Sequence, residues 1–256
     1  MGIKQEVEGT KHQSKKYGVF EIIEYNHTEN VKIRFINTGY CYTVTMCNIR
    51  TGLVKDHSIP TVCGRGYCTG GYLKGRTTDK RLAKARSLWD DMLQRCYGKN
   101  RSRTKTYNDC EVSEEWLDFS NFLEWYLSRC TTDEILEYNL DKDLCYSGNK
   151  IYSPDHCFLV PRKINNLIPS RVSTKMTNLP RGVHLHKGCG KYQAYCNNEH
   201  GSRVPLGFHE TAEEAFLIHK NFKEKVIKIV ADEFKETIDS KLYEILTNYN
   251  IEWEKD

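Results

Sequence analysis

RGVHLHKGCGKYQAYCNNEHGSRVPLGFHETAEEAFLIHKNFKE, residues 181–224, is the stretch whose reading decides the fold. Three segments alternate as half-buried strands do: His184-Leu185-His186, Tyr192-Gln193-Ala194-Tyr195-Cys196 and Val204-Pro205-Leu206. A helix follows. Thr211, with Glu214 three residues on, makes a capping box. Ala215, Phe216, Ile218, His219, Phe222, Val226, Ile229 and Val230 then repeat at helical spacing and give a stripe to cover the sheet. One sheet face is thereby covered and the other is left for a partner. Charge indicates which kind. No acidic residue lies between Asp155 and Glu199, whereas Arg162, Lys163, Arg171, Lys175, Arg181, Lys187 and Lys191 are basic. Phosphate-binding surfaces carry that signature. A small β-β-β-α domain that binds protein, or nothing, is the blander alternative.

Working upstream, residues 139–167 read NLDKDLCYSGNKIYSPDHCFLVPRKINNL. Residues 140–144 and 150–152 read as two strands about a Ser147-Gly148-Asn149 turn. A helix begins near Val160, with Pro161 tolerated in its first turn. That order is a β-β-α hairpin. Residues 79–98 read as a helix with Asp79 as cap and a stripe of Ala83, Leu88, Trp89, Met92, Leu93 and Cys96. A second helix runs from Ser113 to Tyr126, where Trp116, Phe119, Phe122 and Trp125, three apart, read as core. From Tyr17 to Gly71 the pattern is all-β, a small barrel or curled sheet, and its glycine-rich end reads as a linker. A second DNA contact, a protein-docking role and a structural role are equally open for that module.

The spacing of Gly182-Val183, Lys191-Tyr192, Leu206-Gly207-Phe208 and residues 211–215 resembles the APETALA2-type DNA-binding domain of plant ethylene-response factors. The resemblance implies that outward strand residues touch bases and phosphates. Carried over by position, these are Arg181, His184, His186, Lys191, Tyr192, Tyr195, Asn197 and Arg203, with Arg162 and Lys163 basic nearby. His184 and His186 stand where that family has arginines, which weakens bidentate reading of guanine.

The stretch 139–167, with the upstream tryptophan helices, resembles the HNH endonucleases of bacteriophages, which often carry such a domain C-terminally; the resemblance spans roughly residues 80–240. It implies a homing-type hydrolase that cuts double-stranded DNA in a host-cell cytoplasm, using one Mg²⁺ or Mn²⁺. It assigns the metal to Asp141 and Asn165, with Asn166 as the neighbour that can substitute. The family's histidine base is replaced here by Lys142, and its loop asparagine by His156. A lysine at its reference pKa of about 10.4 is a poor base near neutrality. Either its pKa is lowered by burial, or His156 or Asp143 takes the role, or the site does not cut.

Bulk properties agree with a partner-directed chain. The net charge is only +4, but residues 74–105 hold eleven Lys/Arg against three acids, and residues 231–256 hold eight acids against three lysines. The eleven cysteines lack C-x₂-C spacing, which argues against a structural zinc; the N-terminus MGIKQEVEG lacks an apolar core, so reduced thiols are expected. No apolar run approaches membrane-spanning length. The expected organisation is α+β: a β module (1–72), a helical plus β-β-α nuclease domain (73–176), and a DNA-binding three-stranded sheet packed on a helix with an acidic tail (177–256).

Overall fold

The computed structural model describes residues 6–70, 78–99, 109–130, 133–144, 148–168 and 179–253. Arg171, Lys175, Ser147, Gly71 and the basic stretch 100–105 lie outside the described residues. The fold is α+β, and the chain divides into two compact units, Met1–Trp125 and Tyr126–Asp256.

In the first unit, β1 (Lys11–Ser14), β2 (Gly18–His27), β3 (Asn30–Phe35) and β4 (Cys41–Val44) form an antiparallel meander in that order. Alternation sorts its faces. Phe20, Ile22, Val31, Ile33 and Phe35 are buried together, while Glu21 and Arg34 pair across the outer face. The inner face is closed by α1 (Met46–Thr51), through Ile49, and by Val54. That helix departs from the all-β expectation. Thr45 caps it and Gly52, at φ 67°, ends it, a left-handed helix stop inside the stretch read as all-β.

The expected helices form, with revised edges. α2 (Lys80–Tyr97) starts at Asp79, whose carboxylate accepts from the Arg81 and Leu82 amides. Its buried stripe holds Ala85 in place of Ala83. The second expected helix breaks at Asp118 into α3 (Glu114–Leu117) and α4 (Phe119–Arg129). Ser113 makes no side-chain cap bond. Trp116, Phe119, Phe122 and Trp125 are core as expected, and the Trp89 indole donates to the Trp116 carbonyl at 2.7 Å. The glycine-rich segment, as far as Gly70, is no slack linker. Gly66 lies so close to Trp89 and Leu93 that a Cβ would come within 2.4 Å of Leu93. Asp118, buried, accepts from the Thr69 amide and hydroxyl and from the Ser120 amide.

In the second unit, β5 (Tyr138–Asp141) pairs antiparallel with β6 (Phe158–Pro161), and α5 (Arg162–Leu167) follows at once and packs on both. The β-β-α order is therefore present; Ile151–Tyr152 is a short strand as expected, but the partner of β5 is Phe158–Pro161. Phe158, Leu159 and Val160 are all buried, and a strand covered on both faces shows no alternation to read. Next come β7 (Val183–His186), β8 (Lys191–Asn197) and β9 (Arg203–His209), an antiparallel sheet in the order β9-β8-β7. α6 (Ala212–Glu233) crosses one face of this sheet and also packs on α5 and α7 (Ser240–Thr247). The Thr211–Glu214 capping box is formed. Ile218 and Ile229 are exposed, and Ile227 is buried in their stead, because the helix rotates to put Ala215 against Val183 and Ala194.

Candidate functional site

The sheet β7–β9 has two unlike faces. Val183, Ala194 and Ala215 are buried together, with Tyr192, Leu206 and Phe216 packed against them. Tyr192 thus faces the helix, apart from the other candidate contact residues. The register places His184 beside Gln193, Gln193 beside Phe208, Tyr195 beside Pro205, and Asn197 beside Arg203, all on the opposite, open face. Lys191 and His186 are paired there too. The groups touch one another. The Arg203 guanidinium lies 3.7 Å from the Tyr195 ring centre, and His184 packs on that ring at 5.4 Å.

Two side chains of this face were missed from sequence: Gln193 and Phe208. Strict alternation from Val204 puts Phe208 on the helix side. Between the pairs Gln193–Phe208 and Tyr195–Pro205, however, β8 has one residue and β9 has two. That is a bulge, and it turns Phe208 outward. Gly207 permits it at φ 102°, a conformation costly for any side chain. Phe208 is 50% exposed and stands edge-on to His186 at 5.2 Å. Gly207 was the available signal, since a glycine inside a strand pattern suggests a bulge.

The sheet is fixed to its helix by one polar lock. The Tyr195 amide donates to the Gly182 carbonyl at 2.9 Å, and His219 Nδ1 donates to the Tyr195 carbonyl at 2.8 Å. His219 is buried, and burial holds its pKa below the ordinary value. Some of the basic candidates already hold acids. Lys191 pairs with Glu210, which raises its pKa, and Lys163 on α5 pairs with Glu233 on α6. Arg162 and Arg181 are exposed.

At the end of β5, Asp141 Oδ1 accepts the amides of Asp143 and Leu144, an Asx turn that stops the strand. The other carboxylate oxygen has no hydrogen-bond partner among the described residues. Burial raises the Asp141 pKa, against the pull of those two amides. Lys142 is turned inward, 6% exposed. Its Nζ donates to Asp143 Oδ1 and to the Asn149 carbonyl, each at 2.7 Å, and lies over the Tyr152 ring. Asn149 in turn donates to the Lys142 and Ile151 carbonyls, so the turn is cross-braced. His156, two residues before the strand partner of Asp141, bonds Ser153 Oγ through Nδ1 at 2.7 Å. Asn165 and Asn166 lie on α5, and neither side chain hydrogen-bonds among the described residues. Asp141, Lys142, Asp143 and Asn149 are therefore brought together as one bonded cluster, and His156 joins Ser153.

Asp141 keeps one carboxylate oxygen without a partner among the described residues, and the helix bearing Asn165 and Asn166 packs on the same strand; in chemistry, though not by any measured spacing, these oxygen donors suit a hard cation. Among the described residues no three His, Cys, Asp or Glu side chains gather as a metal site, and no helix is long and apolar enough to cross a membrane. None of the described cysteines forms a disulfide, and six are buried. No family of known proteins, no curated protein and no solved structure matches the chain.

Proposed function

We propose that this protein binds duplex DNA through the open face of β7–β9 and is an endonuclease of the HNH type. The observation that carries the binding is the gathering of Arg203, Tyr195, His184, His186, Gln193 and Phe208 on one uncovered sheet face. Cations, ring faces and an amide donor–acceptor are what a groove and its phosphates ask of a protein.

For cleavage, Asp141 and Asn165, with Asn166 as substitute, are the residues that would hold Mg²⁺ or Mn²⁺. Such an ion, when bound, polarises the scissile phosphate and stabilises the leaving oxygen. The chain's own part is to supply a proton acceptor. Lys142 is spent on Asp143 and Asn149, so it braces the turn rather than activating water. The role falls to His156, whose ring is oriented by Ser153 and whose imidazole is the side chain most often used as a general base. It would take the proton of the attacking water as the new P–O bond forms and the 3′ or 5′ oxygen departs.

A second reading is favoured by one observation. Lys142, where the family places its base, is buried and ion-paired, as in a scaffold that no longer cuts. The protein would then bind DNA in a regulatory or anti-host role. Supercoiled plasmid incubated with the protein and Mg²⁺, Mn²⁺ or EDTA separates the two. Metal-dependent nicking that is lost in Asp141→Ala and Asn165→Ala, with gel-shift binding retained, is the expected result. Cleavage that persists in both variants overturns the site. Binding without cleavage on target-containing DNA leaves the second reading.

A further inference from the structure

Phe208 is the feature of the open face that general phosphate binding does not explain. A half-exposed phenylalanine on a sheet face costs solubility and gains nothing from phosphates. Yet the chain spends a backbone distortion to put it there. The bulge at Leu206-Gly207 reverses the side that β9 would otherwise give it, and Gly207 sits at φ 102° to allow the turn. His186, on β7 across the sheet, supports the ring at 5.2 Å. The same face carries the Arg203–Tyr195 stack, and Lys191, in register with His186, is held by Glu210. An apolar ring on a face open to a duplex has one complementary group in the major groove. That group is the 5-methyl of thymine, the only apolar group that a base edge presents there.

We propose that Phe208 is a sequence-reading residue that packs on thymine methyl groups in the major groove, with Gly207 and His186 as the positioning residues that present it. This rests on the duplex-DNA reading above. Sites favoured by the protein are then set by thymine position more than by guanine, in keeping with histidines rather than arginines at 184 and 186.

Duplexes enriched from a random-sequence pool by the full-length protein supply the binding sites for the test. They are resynthesised with uracil in place of thymine, which removes the methyl and leaves charge and hydrogen-bonding groups unchanged. Wild type is expected to bind the uracil duplex about fourfold more weakly for each methyl that the ring covers, the factor that one buried methyl group is worth. Phe208→Ala should bind both duplexes alike, and Phe208→Leu, which keeps an apolar contact, should retain part of the preference. Circular dichroism confirms that the variants fold; the half-exposed ring makes that the expected result. Equal wild-type binding to thymine and uracil duplexes overturns the inference while leaving the DNA reading in place, as does a full preference in Phe208→Ala. No duplex retained from the pool overturns both.

Discussion

Gly182→Ala should be among the most damaging exposed-looking substitutions in this protein. A methyl at position 182 would stand 2.0 Å from His219 Nδ1 and 2.2 Å from its Cε1, and the backbone there is left-handed at φ 78°. Two costs follow. An L-residue in that conformation costs roughly 1–2 kcal/mol. The His219 ring must also swing away, which strips the Tyr195 carbonyl of its 2.8 Å donor, and a buried acceptor left alone costs about 1–3 kcal/mol. The sum, about 2–5 kcal/mol, is a large part of the roughly 5–15 kcal/mol that holds a domain folded. Amide hydrogen exchange on peptides from β8 and α6 reads this locally. A double-mutant cycle gives the sharper test, because His219→Ala removes the ring that the methyl strikes. The double variant should then be more stable than the sum of the single losses by about 1 kcal/mol or more. Additive losses, or a Gly182→Ala protein within about 0.5 kcal/mol of wild type, a change typical of an uninvolved surface site, would refute the lock.

The same histidine predicts an acid limit. Burial outweighs the Tyr195 carbonyl and, with Lys223, holds its folded pKa below 6.5. The unfolded chain therefore takes up this proton first as the pH falls, so stability present above about 6.5 is lost on the way down through the folded pKa; urea midpoints for wild type and His219→Gln should converge in acid. Thr211→Ala removes the hydroxyl that accepts the Glu214 amide and should cost about 1 kcal/mol by chemical denaturation. Arg203→Ala should weaken duplex binding and lower the slope of log K against log salt by about one, as the loss of one phosphate contact does. An unchanged slope would place Arg203 off the DNA.

What the sequence disclosed followed from how strongly each element was patterned. The sheet-and-helix unit was legible because alternation, capping box and apolar stripe all agreed, and because Asp79 and Thr211 are caps that act locally. The strand Phe158–Pro161 was not, since its residues are apolar without a break and a buried strand looks like the start of a buried helix. Of the candidate residues carried over by resemblance, His184, His186, Tyr195, Asn197 and Arg203 share one sheet face, as alternation along their strands requires. Tyr192 had the right chemistry but the wrong parity, being in register with Leu185 and His209 rather than with the open face. Phe208 escaped because a bulge changes parity partway along a strand. The inward turn of Lys142 could not be read from the run Asp141-Lys142-Asp143, since the Asx turn after Asp141 ends the strand and with it the rule that neighbours alternate.

Asp118 bears on where this protein can be cut. The backbone of Tyr67, Thr69 and Gly70 is bonded to Leu117, Asp118, Phe119 and Ser120. A fragment that stopped at residue 72 would strip all of these partners from its own C-terminal end. It would also bare Cys68 on one piece and the Trp89–Leu93 seat of Gly66 on the other, two sticky halves where one packed body stood. The glycines there invite severance by their composition. Their geometry marks a seam already sewn shut, and dissection for expression or interaction mapping should leave it whole.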